Sequence, residues 1–210
     1  MIVIVDYGMG NIHSVNKALE LCGAKTTVTN KAKDINLATG VVLPGVGAFA
    51  DAMSELEKQG LISALKNYIK NKKPFLGICL GMQLLFEKSE EAVKSKGLGI
   101  LAGTVKKFEN KKGIKIPHIG WNQLNFGFGL KAQGLRQCPL LKDVQNNSYV
   151  YFCHSYYPKP DDAKVVAATT DYGIDFASII WQDNIYSVQF HPEKSQKVGL
   201  KIIENFVNLC

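Results

Sequence analysis

The run Phe75-Leu76-Gly77-Ile78-Cys79-Leu80-Gly81-Met82-Gln83-Leu84-Leu85-Phe86 decides how this 210-residue sequence is interpreted. A short apolar strand pattern meets a sharp Gly-x-Cys-x-Gly turn, and an apolar helix pattern follows. This is the pattern of a nucleophile elbow in which sulfur replaces oxygen. Backbone amides and the helix dipole at such a turn favour a thiolate over a thiol. An isolated cysteine is more often a buried core residue, but the flanking glycines and the strand-to-helix context favour a nucleophile.

Length and composition suit one compact domain over residues 1–210. With 46% hydrophobic residues, the chain needs no disulfide or metal to fold. Its five cysteines are odd in number and form no C-x-x-C pair, which argues against a disulfide framework or a thiolate zinc site. The apolar start at residues 1–5 is too short for a signal peptide, and no later stretch approaches the roughly 18 apolar residues of a membrane span. We expect a cytoplasmic protein that enters no membrane.

The positive charge of the chain does not by itself indicate a nucleic-acid partner. Lys and Arg outnumber Asp and Glu 25 to 18, a net charge of +7. The densest basic stretch, residues 106–115, resembles a solvated hairpin, and no recognition helix, RNP motif or zinc motif accompanies it. The segment Asp6-Tyr7-Gly8-Met9-Gly10-Asn11-Ile12-His13 fails the dinucleotide pattern because His13 stands where the third glycine belongs. We therefore expect no nucleic-acid partner and no cofactor. We also expect no metal site, since the four histidines are not spaced as metal ligands.

Strand and helix patterns alternate in the first half of the chain. Strands at 2–5, 25–29, 41–43 and before Cys79, with helices at 11–21 and near 48–71, predict an α/β fold with a mostly parallel central sheet covered by helices on both faces. Shorter strands at 114–116, 149–153, 165–170, 176–181 and 185–190 predict an antiparallel extension, and a helix at 195–208 closes the domain. The functional edge is then the carboxyl end of the parallel strands.

His191-Pro192-Glu193 follows a predicted strand and supplies a candidate base. A residue before proline is extended, and positions i and i+2 of an extended chain point the same way, so His191 and Glu193 can face one site. Joined to Cys79, they form a candidate Cys-His-Glu triad. On its own the tripeptide is an ordinary strand exit. His118 and His154 compete for the role of base, but neither has a carboxylate at i+2, and His13 is interpreted as a helix residue.

A Gly-rich turn, Leu43-Pro44-Gly45-Val46-Gly47-Ala48-Phe49, ends the third predicted strand at the same edge. Backbone N–H groups around Val46, with that of Leu80 after the nucleophile, can form an oxyanion hole. A tight β-to-α turn with no catalytic role is the alternative.

Together these segments resemble the class I, triad-type glutamine amidotransferases, and within them the glutaminase subunits of imidazole glycerol phosphate synthase. The resemblance covers essentially the whole chain. It is carried by Gly77–Gln83 and by the more specific segments Asp6–Asn11, Pro44–Phe49, Pro117-His118-Ile119-Gly120-Trp121-Asn122 and His154-Ser155-Tyr156. The Gly-rich stretch at 126–134 departs from the family pattern.

The resemblance implies a reaction and a partner. Cys79 would attack the side-chain amide of glutamine, His191 would protonate the departing ammonia, and water would hydrolyse a glutamyl thioester. The ammonia would pass to a separate (β/α)8-barrel cyclase, giving a heterodimer that acts in histidine biosynthesis. The residues that the resemblance assigns to glutamine binding are Gly47, Gln83, His154, Ser155 and Tyr156. Those that it places near the cyclase are Asn11, Trp121, Tyr151 and Lys194.

Three alternatives remain open at this point. A paralogous glutaminase could supply ammonia for amination of a nucleotide sugar or a surface polysaccharide, and the glutaminase motifs do not separate the two. A non-catalytic binding domain on the same scaffold is disfavoured because all three triad members are present. A cysteine peptidase is disfavoured because Gln83 and the 154–156 segment suit a small amino acid.

Overall fold

Twelve strands and six helices make up the described parts of the chain. The structure is a computed structural model that describes residues 1–110, 113–126 and 137–210. The strands are β1 Ile2–Val5, β2 Thr26–Thr29, β3 Gly40–Leu43, β4 Phe75–Ile78, β5 Phe86–Ser89, β6 Leu101–Lys107, β7 His118–Gln123, β8 Tyr149–His154, β9 Tyr156–Pro160, β10 Val166–Asp171, β11 Asp175–Gln182 and β12 Ile185–Val188. The helices are α1 Ile12–Leu21, α2 Ala32–Leu37, α3 Phe49–Lys58, α4 Leu61–Lys70, α5 Leu80–Gln83 and α6 Gln196–Val207.

The central sheet has seven strands in the order β10-β11-β12-β4-β3-β1-β2. The five strands from β12 to β2 are parallel, whereas β10 and β11 add an antiparallel edge. The predicted fold class is therefore confirmed. The prediction that the strand at 185–190 belongs only to the antiparallel extension is wrong. As β12, this strand pairs antiparallel with β11 and parallel with β4. A short strand buried on both faces carries no alternation that reveals its direction.

The two faces of the sheet carry two separate hydrophobic layers. Along β1, Val3 and Val5 pack in the layer that holds α2, α3 and α4, whereas Ile2 and Ile4 pack in the layer that holds α1 and α6. This alternation follows the two-residue period of a strand. Burial of each such side chain contributes about 1.5–3 kcal/mol, so both faces of the sheet must be covered.

The apolar helix expected after Cys79 is wrong in length. Helix α5 ends at Gln83, and Phe86 already begins β5, which pairs with β6 in a three-stranded sheet completed by β9. Leu84 and Leu85 are fully buried. Because Gln83 is the one polar residue between Leu80 and Phe86, no amphipathic period separated a helix from a turn and a buried strand.

The strand predicted at 149–153 also lies outside the central sheet. As β8 it pairs antiparallel with β7, with His118 opposite His154 and Trp121 opposite Tyr151. Residues 114–116, predicted as a strand, have no strand assignment. The helical region at 48–71 is two helices, since Gly60 adopts a left-handed φ of 67° between α3 and α4.

Several further sequence expectations concern what the fold contains. No helix in the described ranges is long and apolar enough to cross a membrane. Across residues 1–110, 113–126 and 137–210, no cluster of His, Cys, Asp and Glu is arranged to hold a metal ion. All five cysteines are free thiols. Lys111 and Lys112 of the basic stretch, and residues 127–134 of the Gly-rich stretch, lie outside the described residues.

Candidate active site

The site forms where three parallel strands, β3, β4 and β12, end side by side. In β4, Gly77 lies opposite Leu43 of β3 on one side, and Ile78 lies opposite Val188 of β12 on the other. The residues that follow these strands therefore meet at one edge of the sheet. The Cys79 amide continues the ladder by donating to the Val188 carbonyl at 2.8 Å.

Cys79 occupies a strained position at this edge. Its backbone has φ 53° and ψ −110°, a conformation that costs a non-glycine residue about 1–3 kcal/mol. The glycines on either side are required by space, because a Cβ at Gly81 would overlap the Leu43 carbonyl and one at Gly77 would lie 2.8 Å from the Gly81 oxygen. The elbow predicted from the sequence is thus present, although the helix that follows it has a single turn.

The side chains of His191 and Glu193 are hydrogen-bonded to each other. His191 Nδ1 lies 2.8 Å from Glu193 Oε1, and the two side chains are 5% and 1% exposed. The local geometry differs from the extended chain we expected, since His191 is extended but residues 192–194 form a 3-10 turn. Proline favours such a turn start, and the turn brings the carboxylate back to the ring. Glu193 Oε2 has no hydrogen-bond partner among the described residues.

The backbone of His191 is held by β8. Its amide donates to the Tyr151 carbonyl at 2.9 Å, while its carbonyl accepts a 2.6 Å bond from the Ser195 hydroxyl. The same hydroxyl accepts from the Tyr151 amide at 2.9 Å. These bonds fix the histidine against the strand that carries Cys153 and His154.

The groups that contact His191 reverse the effect of burial on its pKa. Burial disfavours the imidazolium and lowers the pKa of His191, but hydrogen bonds and charge interactions with Cys79 and Glu193 outweigh it and raise this pKa to about 10. The imidazolium is therefore the stable form at neutral pH. A cationic ring next to the sulfur is the arrangement that favours a thiolate.

An amide that we did not identify from the sequence also faces the sulfur. Gln189 Nε2 donates to Cys79 Sγ at 3.6 Å, and Gln189 Oε1 accepts from Gln83 Nε2 at 3.0 Å. Gln83 Nε2 donates its second hydrogen to the Tyr156 carbonyl at 3.0 Å. The available signal was an amide between the apolar Val188 and Phe190, two residues before His191.

A cavity of about 310 Å³ opens above these groups. It brings together every predicted oxyanion and glutamine-binding residue with Cys79, His191 and Lys194, while Glu193 lies behind the ring of His191. Glu91, Pro117 and Cys153 also line it and were not predicted. The lining residues are Val46, Gly47, Cys79, Leu80, Gln83, Glu91, Pro117, Cys153, His154, Ser155, Tyr156, His191 and Lys194.

The Gly-rich turn after β3 packs against the elbow. The Tyr7 hydroxyl donates to the Pro44 carbonyl at 2.9 Å, and a Cβ at Gly45 would lie 2.9 Å from that of Leu80. Gly47 has φ 94°, a conformation that favours glycine. The turn therefore places Val46 beside Leu80 at the mouth of the cavity.

The competing histidines form a separate hydrogen-bonded pair. His154 Nδ1 lies 2.8 Å from the Tyr156 carbonyl, so this nitrogen carries the proton, and His154 Nε2 then accepts from His118 Nδ1 at 3.1 Å. Burial lowers the pKa of His154 to about 3 and that of His118 to about 4. Both rings are neutral at pH 7. His13 is exposed on α1.

Three of the four predicted partner-contact residues form one cluster beside the cavity. The rings of Trp121 and Tyr151 lie 6.0 Å apart, and Lys194 Nζ lies 5.9 Å from the centre of the Tyr151 ring. Trp121 is 46% exposed. Asn11, the fourth residue, is partly exposed at the start of α1.

Comparison with known proteins identifies the family. A family model described as glutamine amidotransferase class-I matches residues 3–209. The chain belongs to this family. It is 51% identical to the imidazole glycerol phosphate synthase subunit HisH of Aquifex aeolicus, over 97% of this chain and 94% of that protein. It is 49% identical to the same-named subunit of Caldanaerobacter subterraneus subsp. tengcongensis, over 98% and 97%.

Solved structures share the fold of this class-I glutamine amidotransferase. One described as a glutamine amidotransferase superposes with a TM-score of 0.73 at 16% identity, covering 99% of this chain and 97% of that one. A chain in the structure of PurLQS from Thermotoga maritima also gives 0.73, at 17% identity and with the same coverage. At this identity the agreement concerns the fold alone.

Proposed function

We propose that this protein is the glutaminase subunit of an imidazole glycerol phosphate synthase, which releases ammonia from L-glutamine for a partner cyclase. The observation that carries the chemistry is the strained Cys79 elbow beside the hydrogen-bonded His191-Glu193 pair, with Cys79 and His191 lining one cavity. Relatives that are 46–51% identical over nearly the whole chain bear this subunit's name. On this proposal residues 1–210 act as one glutamine amidotransferase domain in the cytoplasm.

The reaction follows from the protonation states in the site. The Cys79 thiolate attacks the side-chain amide carbon of glutamine, and the amide oxygen becomes an oxyanion that accepts from the backbone N–H groups of Val46 and Leu80. The His191 imidazolium donates its proton to the leaving nitrogen, so ammonia departs and a thioester remains. The neutral ring then takes a proton from water, which attacks the thioester and releases glutamate.

Glu193 determines which nitrogen of His191 takes part in this proton transfer. Its carboxylate accepts from His191 Nδ1, so the other ring nitrogen is the one that exchanges protons with sulfur and substrate. The same negative charge stabilises the imidazolium. Glu193 therefore orients and charges His191 without entering the cavity.

The lining suits a free amino acid. Among the described residues that line the cavity, Glu91 is the carboxylate and Lys194 the ammonium, which complements the α-ammonium and α-carboxylate groups of glutamine. Both hydrogens of Gln83 Nε2 are already donated, so Gln83 offers its Oε1 acceptor to the substrate. A cavity of about 310 Å³ matches the lower end of small-ligand sites.

We assign the cyclase, a (β/α)8 barrel, to the surface around Trp121, Tyr151, Lys194 and Asn11. The outward face of β7 and β8 also exposes Ile119 and Tyr149, at 58% and 54%. Exposed apolar residues grouped beside a cavity mark an interaction site. Ammonia released from the tetrahedral intermediate on Cys79 would thus leave beside the partner.

The first experiment measures glutaminase turnover of the purified chain with and without its cyclase and that enzyme's nucleotide substrate. We expect weak hydrolysis alone and strong activation in the complex, because a partner can select one arrangement of the Gly-rich 45–47 turn. Equal rates in both conditions would contradict the proposal. Failure to complement a histidine auxotroph, together with activity toward another acceptor, would favour the sugar-amination alternative.

A second experiment tests the partner surface. Trp121→Ala should weaken binding of the cyclase at least about tenfold, since aromatic residues dominate interface energetics. Leu21→Ala is the matched control, because Leu21 is equally apolar, 77% exposed and at the opposite end of α1 from Asn11. Equal effects of the two substitutions would remove the assignment of this surface.

A further inference from the structure

We propose that Gln189 is a positioning residue for the nucleophile, whose side-chain amide holds the Cys79 sulfur while Gln83 holds Gln189 in the required orientation. The contribution to glutamine turnover rests on the proposed function. The effect of Gln189 on the protonation of the Cys79 sulfur does not rest on the proposed function, and it can be measured without substrate.

The contact is built into the interior of the molecule. Gln189 is 0% exposed and directly follows β12, and its amide N–H donates to the Ser178 carbonyl of β11 at 2.9 Å. Its side-chain nitrogen lies 3.6 Å from Cys79 Sγ, within the range of a hydrogen bond to sulfur. A primary amide in such a place is held only if its polar atoms are bonded, since an unpaired buried amide is costly.

The direction of the bond follows from Gln83. Gln83 Nε2 points at both the Tyr156 carbonyl and Gln189 Oε1, and the Tyr156 carbonyl can only accept. Gln83 must therefore present nitrogen at this position, and Gln189 must present oxygen to Gln83. The remaining end of the Gln189 amide, its NH₂ group, then faces the sulfur. A reversed Gln189 would set two donors against each other and turn an oxygen toward the sulfur.

This donor adds to the cationic ring. A hydrogen bond to an ionised acceptor is about twice as strong as one between neutral groups, so the Gln189 N–H stabilises the thiolate more than the thiol. Unlike His191, Gln189 carries no proton that the reaction consumes, so its bond to sulfur does not depend on the transfer of a proton from His191 to the leaving nitrogen. The geometry thus assigns two functions to two groups: His191 exchanges the proton and Gln189 fixes the sulfur.

Other ionisable groups also influence the sulfur and must be held constant in a test. His191 follows β12, and Tyr7, which follows β1, is coupled electrostatically to Cys79. His154, Cys153, Glu91 and Lys194 line the same cavity from other elements.

The test is the pH dependence of Cys79 alkylation by iodoacetamide in the full chain, with Cys79→Ala to subtract reaction at the other thiols. Gln189→Met keeps the length of the side chain and removes the donor. We expect the midpoint of its alkylation profile to rise by about one pH unit, roughly a tenfold loss of thiolate at a fixed pH below the midpoint. Gln189→Glu retains an acceptor for Gln83 but turns an anionic oxygen toward the sulfur, so its midpoint should rise further.

Ser187→Ala is the matched control. Ser187 lies in β12, is fully buried, and its hydroxyl has no partner among the described residues. Its alkylation midpoint should equal that of the wild type. A merely structural role of Gln189 predicts lower melting temperatures with an unchanged midpoint in the Met and Glu variants, and that result would overturn the proposal.

Turnover of the complex supplies the second measurement. Gln189→Met should lower kcat about 10- to 100-fold and change KM for glutamine less than threefold, because the bond is made to the reacting sulfur and not to the substrate. If Gln189→Met does not fold, the Glu variant decides the outcome, and a midpoint at or below that of the wild type refutes the proposal. Absence of glutaminase activity in the wild-type complex would refute the proposed function and leave the alkylation result standing.

Discussion

His191 and His154 line the same cavity, and both are buried, yet at neutral pH the ring of His191 is cationic and the ring of His154 is neutral. His191 contacts the Cys79 sulfur and a carboxylate, and its pKa is raised to about 10. His154 contacts a carbonyl and a neutral imidazole, and burial lowers its pKa to about 3. Burial alone favours the neutral ring in both cases. The comparison teaches that the partner of the ring, and not its depth, separates a charged acid from a structural hydrogen-bonding group.

The largest expected effect comes from removing the cationic His191 or its partner Cys79. His191→Ala and Cys79→Ala should each lower glutamine-dependent product formation at least about a thousandfold, or about 4 kcal/mol of transition-state stabilisation. Product formation from high ammonium at elevated pH should survive, because free ammonia replaces the glutaminase. Retention of glutamine-dependent synthesis by Cys79→Ala would contradict the assignment of the nucleophile.

Glu193→Gln should lower the pKa of His191, so that its ring, like that of His154, tends toward the neutral form. Without the carboxylate, the pKa of His191 measured by NMR should fall from about 10, and kcat should drop about a hundredfold. The amide can still accept from Nδ1, so the fold should persist. An unchanged His191 titration would show that Cys79 alone maintains the imidazolium.

The two rings should affect stability in opposite pH ranges. For His154 the native pKa of about 3 lies below the ordinary 6.5, so only the unfolded chain gains a proton as the pH falls from 6.5. The contribution of His154 to the free energy of unfolding should therefore fall by about 3 kcal/mol between pH 7 and pH 4. For His191 the native pKa lies above 6.5, so its contribution is complete below pH 6.5 and is lost as the pH rises toward 10.

Denaturant unfolding across pH measures these slopes. His154→Gln should make the acid side less steep, leaving the contribution of His118, whose pKa is also lowered, to about 4, and should leave the alkaline side unchanged. Loss of the alkaline slope in this variant would mean that the two histidines are coupled and not independent.

His13→Ala should have the smallest effect. His13 is exposed on α1 and lines no part of the cavity. Glutamine-dependent turnover should stay within about twofold of the wild type, as for surface substitutions away from a site. A larger loss, measured in the intact complex, would indicate that this end of α1 contributes to partner binding.

The sequence alone was sufficient for the elbow, the parallel sheet and the family. Gly-x-Cys-x-Gly between a buried strand and an apolar run can form few structures, because both glycines sit where a Cβ would meet the backbone. Alternating strands and helices likewise predicted the carboxyl edge that carries Cys79, the Val46 turn and His191. The catalytic and binding roles of these residues stay predictions until the variants are measured.

Tertiary structure alone decided the rest. Uniformly apolar runs do not record strand direction or helix length, so the parallel pairing of β12 and the single turn of α5 were not predictable from periodicity. The bond from Gln189 to Cys79 joins residues 110 positions apart, and the hydrogen bond that pairs His118 with His154 joins residues 36 positions apart. Only packing brings these residues together. A side chain's chemistry is local, but its charge and its hydrogen-bond partners are set by neighbours that the chain supplies from elsewhere.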